Sequence, residues 1–464
     1  MASKSASPAA LNILEAIGIT DLPEDWDIVR VESLLCDDRG IAVGVMYPGE
    51  HDPAGIPLIK AGDLAGGRIN PRPEFRITAE KHHEYRRTEL AGGELLISLV
   101  GDVGRCALVP PRMAGSNAAR AIAVLRCKIP SDTAFIRACL MSAPLQHLMQ
   151  AWSTTTVQAT LNLKEIRQIP LPWPPKKQRD AIAHILGTLD DKIELNRKMN
   201  ETLEAMARGL FKSWFVDFEP VRAKAEGRDP GMPQPLADVF PARIVECEQG
   251  AIPEGWRYDS LGDLVDLTRG RTYKGSLKDL PGPVLLGLAS IQRNGGFRDD
   301  KLSTYGGDSP IGLVLVPGDL FASLKDVTQS ADLLGAVARV PDHVERGRLT
   351  QDTVKLNFKL AKASRNIVYL TLLTPEYREY CRSHATGTTN LGLSRDDFLA
   401  YPVVQPSEDI QRAFDTAIEK IEARAGRARA ESRTLAALRA TLLPRLVSGE
   451  LRVGNERRFS TAAV

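Results

Sequence analysis

Two short stretches concentrate cations where they could grip a phosphate or the edge of a base. Arg269-Gly270-Arg271-Thr272-Tyr273-Lys274 sets three positive side chains around a glycine and an aromatic. Lys81-His82-His83-Glu84-Tyr85-Arg86-Arg87 reads as its counterpart earlier in the chain. Arginine presents a planar fork of donors that matches both a phosphate and the acceptor pair on guanine. The candidate contacts are therefore Arg86, Arg87, Arg269, Arg271 and Lys274, with a solvated charged face as the alternative. Two polar loops add Thr154, Thr155, Thr156 and Gln158 in the first half of the chain, and Thr388, Thr389 and Asn390 in the second. Short hydroxyl and amide side chains beside free backbone N–H groups suit phosphates and base edges. They suit an ordinary loop equally well.

Other chemistry is not legible. The stretch nearest to a phosphate-cradling P-loop, Gly270 to Ser276, lacks the lysine after its second glycine, and no GxGxxG opens a helix. Pro172-Trp173-Pro174-Pro175 has the wrong lead residue for an amino-methyltransferase motif. No Ser-His-Asp, Cys-His or metal-carboxylate set stands out. The expectation is a chain that catalyses nothing alone and binds no cofactor or metal.

With 464 residues, 43% hydrophobic and 25% charged, the composition is that of a soluble protein of several domains. No apolar run is long enough for a membrane span, the opening residues lack a signal-peptide pattern, and a cytoplasmic location with no membrane partner is expected. The six cysteines form no CxxC pair and are read as reduced and structural. Sixty Lys and Arg against 58 Asp and Glu leave a net charge of only +2. A purely charge-driven nucleic-acid binder is usually far more basic, so if the chain holds DNA its positive charge must be local.

The elements that must position these candidates are two long helical patterns. In residues 174–216, two prolines open a run in which Ile182, Leu186, Leu189, Ile193, Leu203 and Leu210 recur every three or four residues. In 407–447, Ser407 is a plausible N-cap and Phe414, Ile418, Ile421, Ala425, Ala428, Leu435 and Leu442 form a similar stripe. Forty helical residues span roughly 60 Å. A narrow apolar stripe of that length needs a partner helix, so the two read as halves of one coiled coil. Asn196 and Asn200 lie near the seam and either fix its register or face solvent. Phe211, Trp214, Phe215 and Phe218 read either as a docking patch or, preferably, as a plug at the helix end. Gly187, Gly209 and Gly426 permit close helix approach or are simply tolerated.

Phrases recur in order. LPEDW at Leu22 returns as IPEGW at Ile252; the run Gly93 to Leu99 is echoed by Gly318 to Leu324; Leu161 and Pro170 match Leu393 and Pro402. A Gln-Arg pair, Gln178-Arg179 and Gln411-Arg412, enters each helix. The organisation read from this is an N-terminal segment (1–21), a first globular domain (22–173), a long helix (174–216), a connector (217–251), a second globular domain (252–406), a second long helix (407–447) and a tail (448–464). Short β-like runs near 94–100, 121–127, 284–288 and 313–316, with helical patterns at 132–152 and 365–383, predict α+β domains in a pseudo-two-fold internal duplication.

This ordered set, with PLPWPPKKQRDAIAHILGTLDDKIELNRKMNETLEAMARGLFKSWF at its centre and LLPRLVSGELRV near its end, resembles the specificity subunit of type I restriction-modification enzymes along nearly the whole chain. The resemblance implies two target recognition domains separated by two helices packed antiparallel. It implies double-stranded DNA as ligand and DNA methyltransferase (modification) subunits, two of them expected, as partners. ATP-dependent restriction subunits would join them, with S-adenosylmethionine, ATP and Mg carried by the partners. Unlike domains on a two-fold frame imply a split, asymmetric target. A stand-alone DNA-binding or scaffold protein, or an enzyme with unrecognised motifs, is the alternative. Replacing residues 22–173 by another such domain should change one half of the recognised site only, as methylation mapping would read; a change in both halves would refute the modular reading.

Overall fold

The structure is a computed structural model and describes residues 12–15, 18–19, 22–36, 40–155, 159–300, 302–359, 363–388 and 390–453. Two compact units account for the chain, one from residues 1–194 with 432–464 and the other from 195–431. Each holds one globular domain and about half of each long helix. The helices run Lys176–Phe215 and Glu408–Val447, 40 residues apiece.

Within the first unit the helix segments run in opposite directions. Ile182 and Leu186, early in the first helix, share a core with Leu443, Leu446 and Val447, late in the second. Farther along the first helix and farther back on the second, Asp190 meets Arg439 at 2.6 Å. The second unit shows the same opposition. Phe211 and Phe215 pack their rings on Phe414 at centroid distances of 6.2 and 4.8 Å, whereas Asn196 donates to Glu431 at 2.8 Å. The stripe is thus apolar toward the ends of each helix and polar between. Leu189, Ile193, Leu203 and Leu210 are only half-buried, and Leu195 and Met206 are exposed.

Several open alternatives resolve here. Asn196 is buried in the seam and hydrogen-bonded, while Asn200 holds a buried Oδ1 with no hydrogen-bond partner among the described residues. The four aromatics form a plug: Trp214 packs on Phe240 at 5.0 Å and Phe215 on Trp256 at 5.7 Å, with Phe218 in the same core. The connector takes part, as its helix Glu219–Ala225 buries Val221 against that core. A Cβ added to Gly187 or Gly209 meets nothing within 4 Å, so neither serves close approach.

Each domain is built around a four-stranded antiparallel sheet. In the first the order is Ile41–Val43, Ile122–Leu125, Leu95–Ser98, Cys106–Leu108; in the second it is Val265–Arg269, Thr353–Phe358, Leu320–Ser323, Val337–Arg339. Buried polar groups repeat with the strands. Ser98 and Ser323 each donate their hydroxyl to a nearby turn carbonyl, of Asp102 and Lys325, and accept an N–H in return. Glu94 and Asp319 each accept from the backbone three residues earlier, at Ala91 and Val316. Buried polar atoms must find partners, so these side chains pin the same turns in both copies. Leu161 and Leu393 donate their N–H to the carbonyls of Leu99 and Leu324. Pro170 and Pro402 hold matching places in the strand pairs that close the domains.

One matched pair shifts. Because Trp173 and Gln405 occupy the same place in those closing pairs, the counterpart of Arg179 is Gln411 rather than Arg412. Both reach back five residues to a proline carbonyl, Pro174 and Pro406, at 2.6 and 3.0 Å. The strand register sets this alignment, and a repeated dipeptide cannot override it. Each predicted terminal helical stretch is two helices, Thr133–Leu140 with Ala143–Trp152 and Arg365–Thr371 with Pro375–Ser383. Pro144 and Pro375 sit in the first turn of the second member, where a missing N–H is harmless. All six cysteines are free; Cys106, Cys139 and Cys381 lie in cores, and burial pushes the Cys106 thiol up to about 12.

Asp190 is the polar centre of the first unit's seam. Arg137 donates to it at 2.7 Å, Arg439 pairs with its other oxygen, and Arg68 reaches its backbone carbonyl. Asp190→Ala should cost on the order of 3–5 kcal/mol, because it strands buried cations. Urea denaturation of the single variant, compared with Asp190→Ala carrying Arg137→Met and Arg439→Leu, checks this: the triple variant should recover most of the loss.

Candidate nucleic-acid interface

In the second domain, Arg269 ends an edge strand and Gly270 lets the chain pass against its own neighbour. A Cβ at Gly270 would stand 1.9 Å from the Thr350 carbonyl oxygen. Gly270 therefore serves the chain's own backbone. Arg348, buried, braces the loop from beneath: it donates to the carbonyls of Thr272 at 3.1 Å and Asp308 at 3.2 Å, and lies over the Tyr305 ring. Tyr273 packs edge-on against Tyr305 at 5.9 Å. Arg269, Arg271 and Lys274 are left exposed, their side chains without an ion pair or hydrogen bond among the described residues. The loop is held from within while its charges face solvent.

Thr388 and Asn390 lie at the tip of a hairpin closed by paired backbone bonds between Thr386 and Gly392, at 2.9 and 2.8 Å. Both are exposed; Thr389 lies outside the described residues. The strand Leu391–Gly392 that leaves this tip pairs with Lys325–Asp326, at the exit of the sheet's third strand. Arg269 and Gly392 consequently line one cleft of about 380 Å³. The structure thus brings together the root of one candidate group and the root of the other.

In the first domain, Arg86 and Arg87 form a 3₁₀ turn, Arg86–Thr88, after the helix Ala79–Glu84 that Thr78 caps. Buried Asn117 holds the turn, accepting from the Thr88 hydroxyl at 2.7 Å and donating to the Tyr85 carbonyl at 3.2 Å. Lys81 is neutralised by Glu84 at 2.7 Å, and that hydrogen bond raises its pKa. Arg86 and Arg87 are exposed and have no such partner among the described residues. Thr154 and Thr155 form a short strand paired with Ala159–Thr160; Thr156 and Gln158 lie outside the described residues.

The run 81–87 is not the structural counterpart of 269–274. That place belongs to residues 43–48, where Gly44 approaches the Ala118 carbonyl as Gly270 approaches Thr350, with a would-be Cβ at 2.1 Å. Val45 and Arg271 then make equivalent parallel bridges, to Ala119 and Thr350. At that place the first domain exposes Met46 and Tyr47, 42% and 71% accessible. A signal existed: Gly44-Val-Met-Tyr47 and Gly270-Arg-Thr-Tyr273 share glycine and tyrosine at the same spacing. Similar charge in 81–87 and 269–274 does not reflect an equivalent place in the two domains.

A family model described as Type I restriction modification DNA specificity domain matches residues 23–205. Residues 23–205 thus carry the DNA specificity domain of type I restriction-modification enzymes. The match spans the first domain and most of the first long helix, and the repeated sheet order extends the relation to the second domain, making two recognition domains. A type I restriction enzyme HindI specificity subunit of Haemophilus influenzae is 27% identical over 354 residues, covering 66% of this chain and 73% of that protein. The MjaIX specificity subunit of Methanocaldococcus jannaschii is 25% identical over 261 residues, covering 54% of each. The solved S subunit from M. genitalium has a similar fold, with a TM-score of 0.54 at 14% identity, over 92% of this chain and 98% of that one.

Among the described residues there is no group of His, Cys, Asp or Glu able to hold a metal ion, and no helix long and apolar enough to cross a membrane. What these loops present is exposed cations, amides and hydroxyls on a braced backbone.

Gly44→Ala and Gly270→Ala should each cost about 1–3 kcal/mol, because a backbone carbonyl must move. Gly187→Ala, in open space within the first long helix, should be neutral or stabilise by up to about 1 kcal/mol. Thermal melts of the three variants separate the two kinds of glycine.

Proposed function

We propose that this specificity subunit holds a two-part DNA site, one part on each recognition domain, and positions DNA methyltransferase subunits, one for each half of the pseudo-symmetric frame, so that adenines in the site are modified. ATP-dependent restriction subunits join the same frame. In this reading S-adenosylmethionine, ATP and Mg belong to the partners, and the chain itself performs no chemical step.

The observation that carries the reading is one backbone used twice with different exposed side chains. Sheet order, pinned turns and glycine crossing repeat, yet the loop leaving the edge strand exposes Met46 and Tyr47 in one domain, with Val45 buried, and Arg271, Thr272 and Tyr273 in the other. Identical loops would favour a palindrome; unlike loops favour unlike half-sites. The long helices supply the spacing. Half-sites on one face of a duplex lie about 34–36 Å apart centre to centre, within the roughly 60 Å reach of a forty-residue helix.

The test is to co-express the chain with the methyltransferase encoded beside it and map methylated adenines in the host genome. A single split motif with unlike halves is expected, and equal changes in the length of both helices should alter only the unread gap. A continuous or palindromic motif, or methylation independent of this chain, would overturn the reading.

A further inference from the structure

The cleft that joins the two candidate groups of the second recognition domain has a composition that the first domain lacks. Its rim carries Arg269 at the end of an edge strand, Lys325 at the exit of the third strand, and Arg395 at the start of the helix Arg395–Ala400. Its floor is apolar, from Leu267, Val354 and Leu393. One carboxylate, Asp352, is part of the lining, and a second, Asp266, stands just outside it. Asp352 lies 3.6 Å from Lys325, and Asp266 lies 4.0 Å from Arg395 with both side chains more than half exposed. Exposed ion pairs at such distances contribute little and exchange readily. Arg269 has no ion pair among the described residues.

We propose that this cleft seats one backbone phosphate of the DNA, and that the first domain has no equivalent seat. The proposal rests on the DNA-holding reading above. Three cations from separate elements converge over about 380 Å³, room for a phosphate with the apolar faces of its sugars on the floor. A base is the poorer occupant, because unstacked bases are held chiefly on aromatic faces and none lines this cleft.

The asymmetry follows from register. Arg269 precedes Gly270 as Val43 precedes Gly44. Lys325 pairs with Gly392 as Val100 pairs with Thr160. Arg395 stands two residues beyond Leu393, as Leu163 stands two beyond Leu161, and both leucines bond the equivalent backbone carbonyl. Every cation of the second cleft is thus replaced by Val43, Val100 or Leu163 in the first. A net charge of +2 allows no generous basic surface. The domains therefore divide the work: the second holds the backbone electrostatically, while the first meets DNA with exposed Met46 and Tyr47 beside Arg86 and Arg87.

The test uses the intact complex with its methyltransferase partner. DNA affinity is measured against salt for the unaltered complex, for Arg269→Gln, Lys325→Gln and Arg395→Gln, and for all three together. All three side chains are exposed, so the variants should fold, as circular dichroism verifies. One shared phosphate predicts that the triple variant lowers the slope of log K against log salt by about 0.9 and no further, with each single variant lowering it by part of that. Between 50 and 200 mM salt, the triple variant should lose roughly threefold less affinity than the unaltered complex. The methylated motif should not change. An unchanged slope would overturn the seat, and so would a motif altered in its second half, which would mean the residues read a base. If the unaltered complex binds DNA at no salt concentration, the parent reading fails and the seat falls with it.

Discussion

A forty-residue helix that exposes Leu195 and Met206 and only half-buries most of its aliphatic stripe has little to hold it in water by itself. Its stability comes from two kinds of contact with the second long helix. Toward one end Ile182 and Leu186 join Leu443, Leu446 and Val447; toward the other Phe211, Trp214 and Phe215 close around Phe414. Each large apolar side chain so buried contributes about 1.5–3 kcal/mol. Between these knots the seam is polar, with Asp190 shared by Arg137 and Arg439, and Asn196 bonded to Glu431. Buried polar groups of this kind add less to stability than to uniqueness, because a slip of register strands them. For two helices whose suggested task is to set a distance, a unique register is the property that matters.

The duplication shows what a recognition domain must keep and what it can change. The inward-facing features recur: Ser98 and Ser323 pinning turns, Glu94 and Asp319 capping them, Gly44 and Gly270 letting one strand exit cross a neighbouring backbone. Each answers a constraint of the backbone itself, a buried polar atom or a steric overlap, so drift is costly. The exposed loop side chains answer no such constraint. At the position after the glycine, Val45 turns into a core with Leu58 and Ile77 while Arg271 is exposed, and the next two residues, Met46-Tyr47 and Thr272-Tyr273, are exposed in both copies.

Much of the architecture was legible in the chain. Period-3.6 stripes opened by Pro174-Pro175 and by Ser407 located both long helices, and the echo of residues 93–99 in 318–324 located the equivalent buried strands, because burial and turn pinning restrict which residues can stand there. The candidate contacts were legible less evenly. Arg269, Arg271, Lys274, Arg86 and Arg87 are exposed, with no side-chain ion pair or hydrogen bond among the described residues, which a contact residue and a solvated face share. The pairing of 81–87 with 269–274 failed because charge on a surface leaves no positional mark. The Gln-Arg alignment failed by one residue, since a dipeptide carries no strand register.

Sequence alone settled the number of domains, the helices that separate them, and the kinship with type I specificity subunits. All three are written in local periodicity and in phrases repeated in order, which need no third dimension. Tertiary structure decided which residues share a place. Only the closing strand pairs equate Arg179 with Gln411, the glycine crossings establish the equivalence of Tyr47 and Tyr273 that their shared spacing from a glycine only hints at, and only the fold brings Arg269, Lys325 and Arg395 to one cleft. Those residues lie more than fifty positions apart in the chain, and their meeting depends on backbone hydrogen bonds between strands that no single segment encodes.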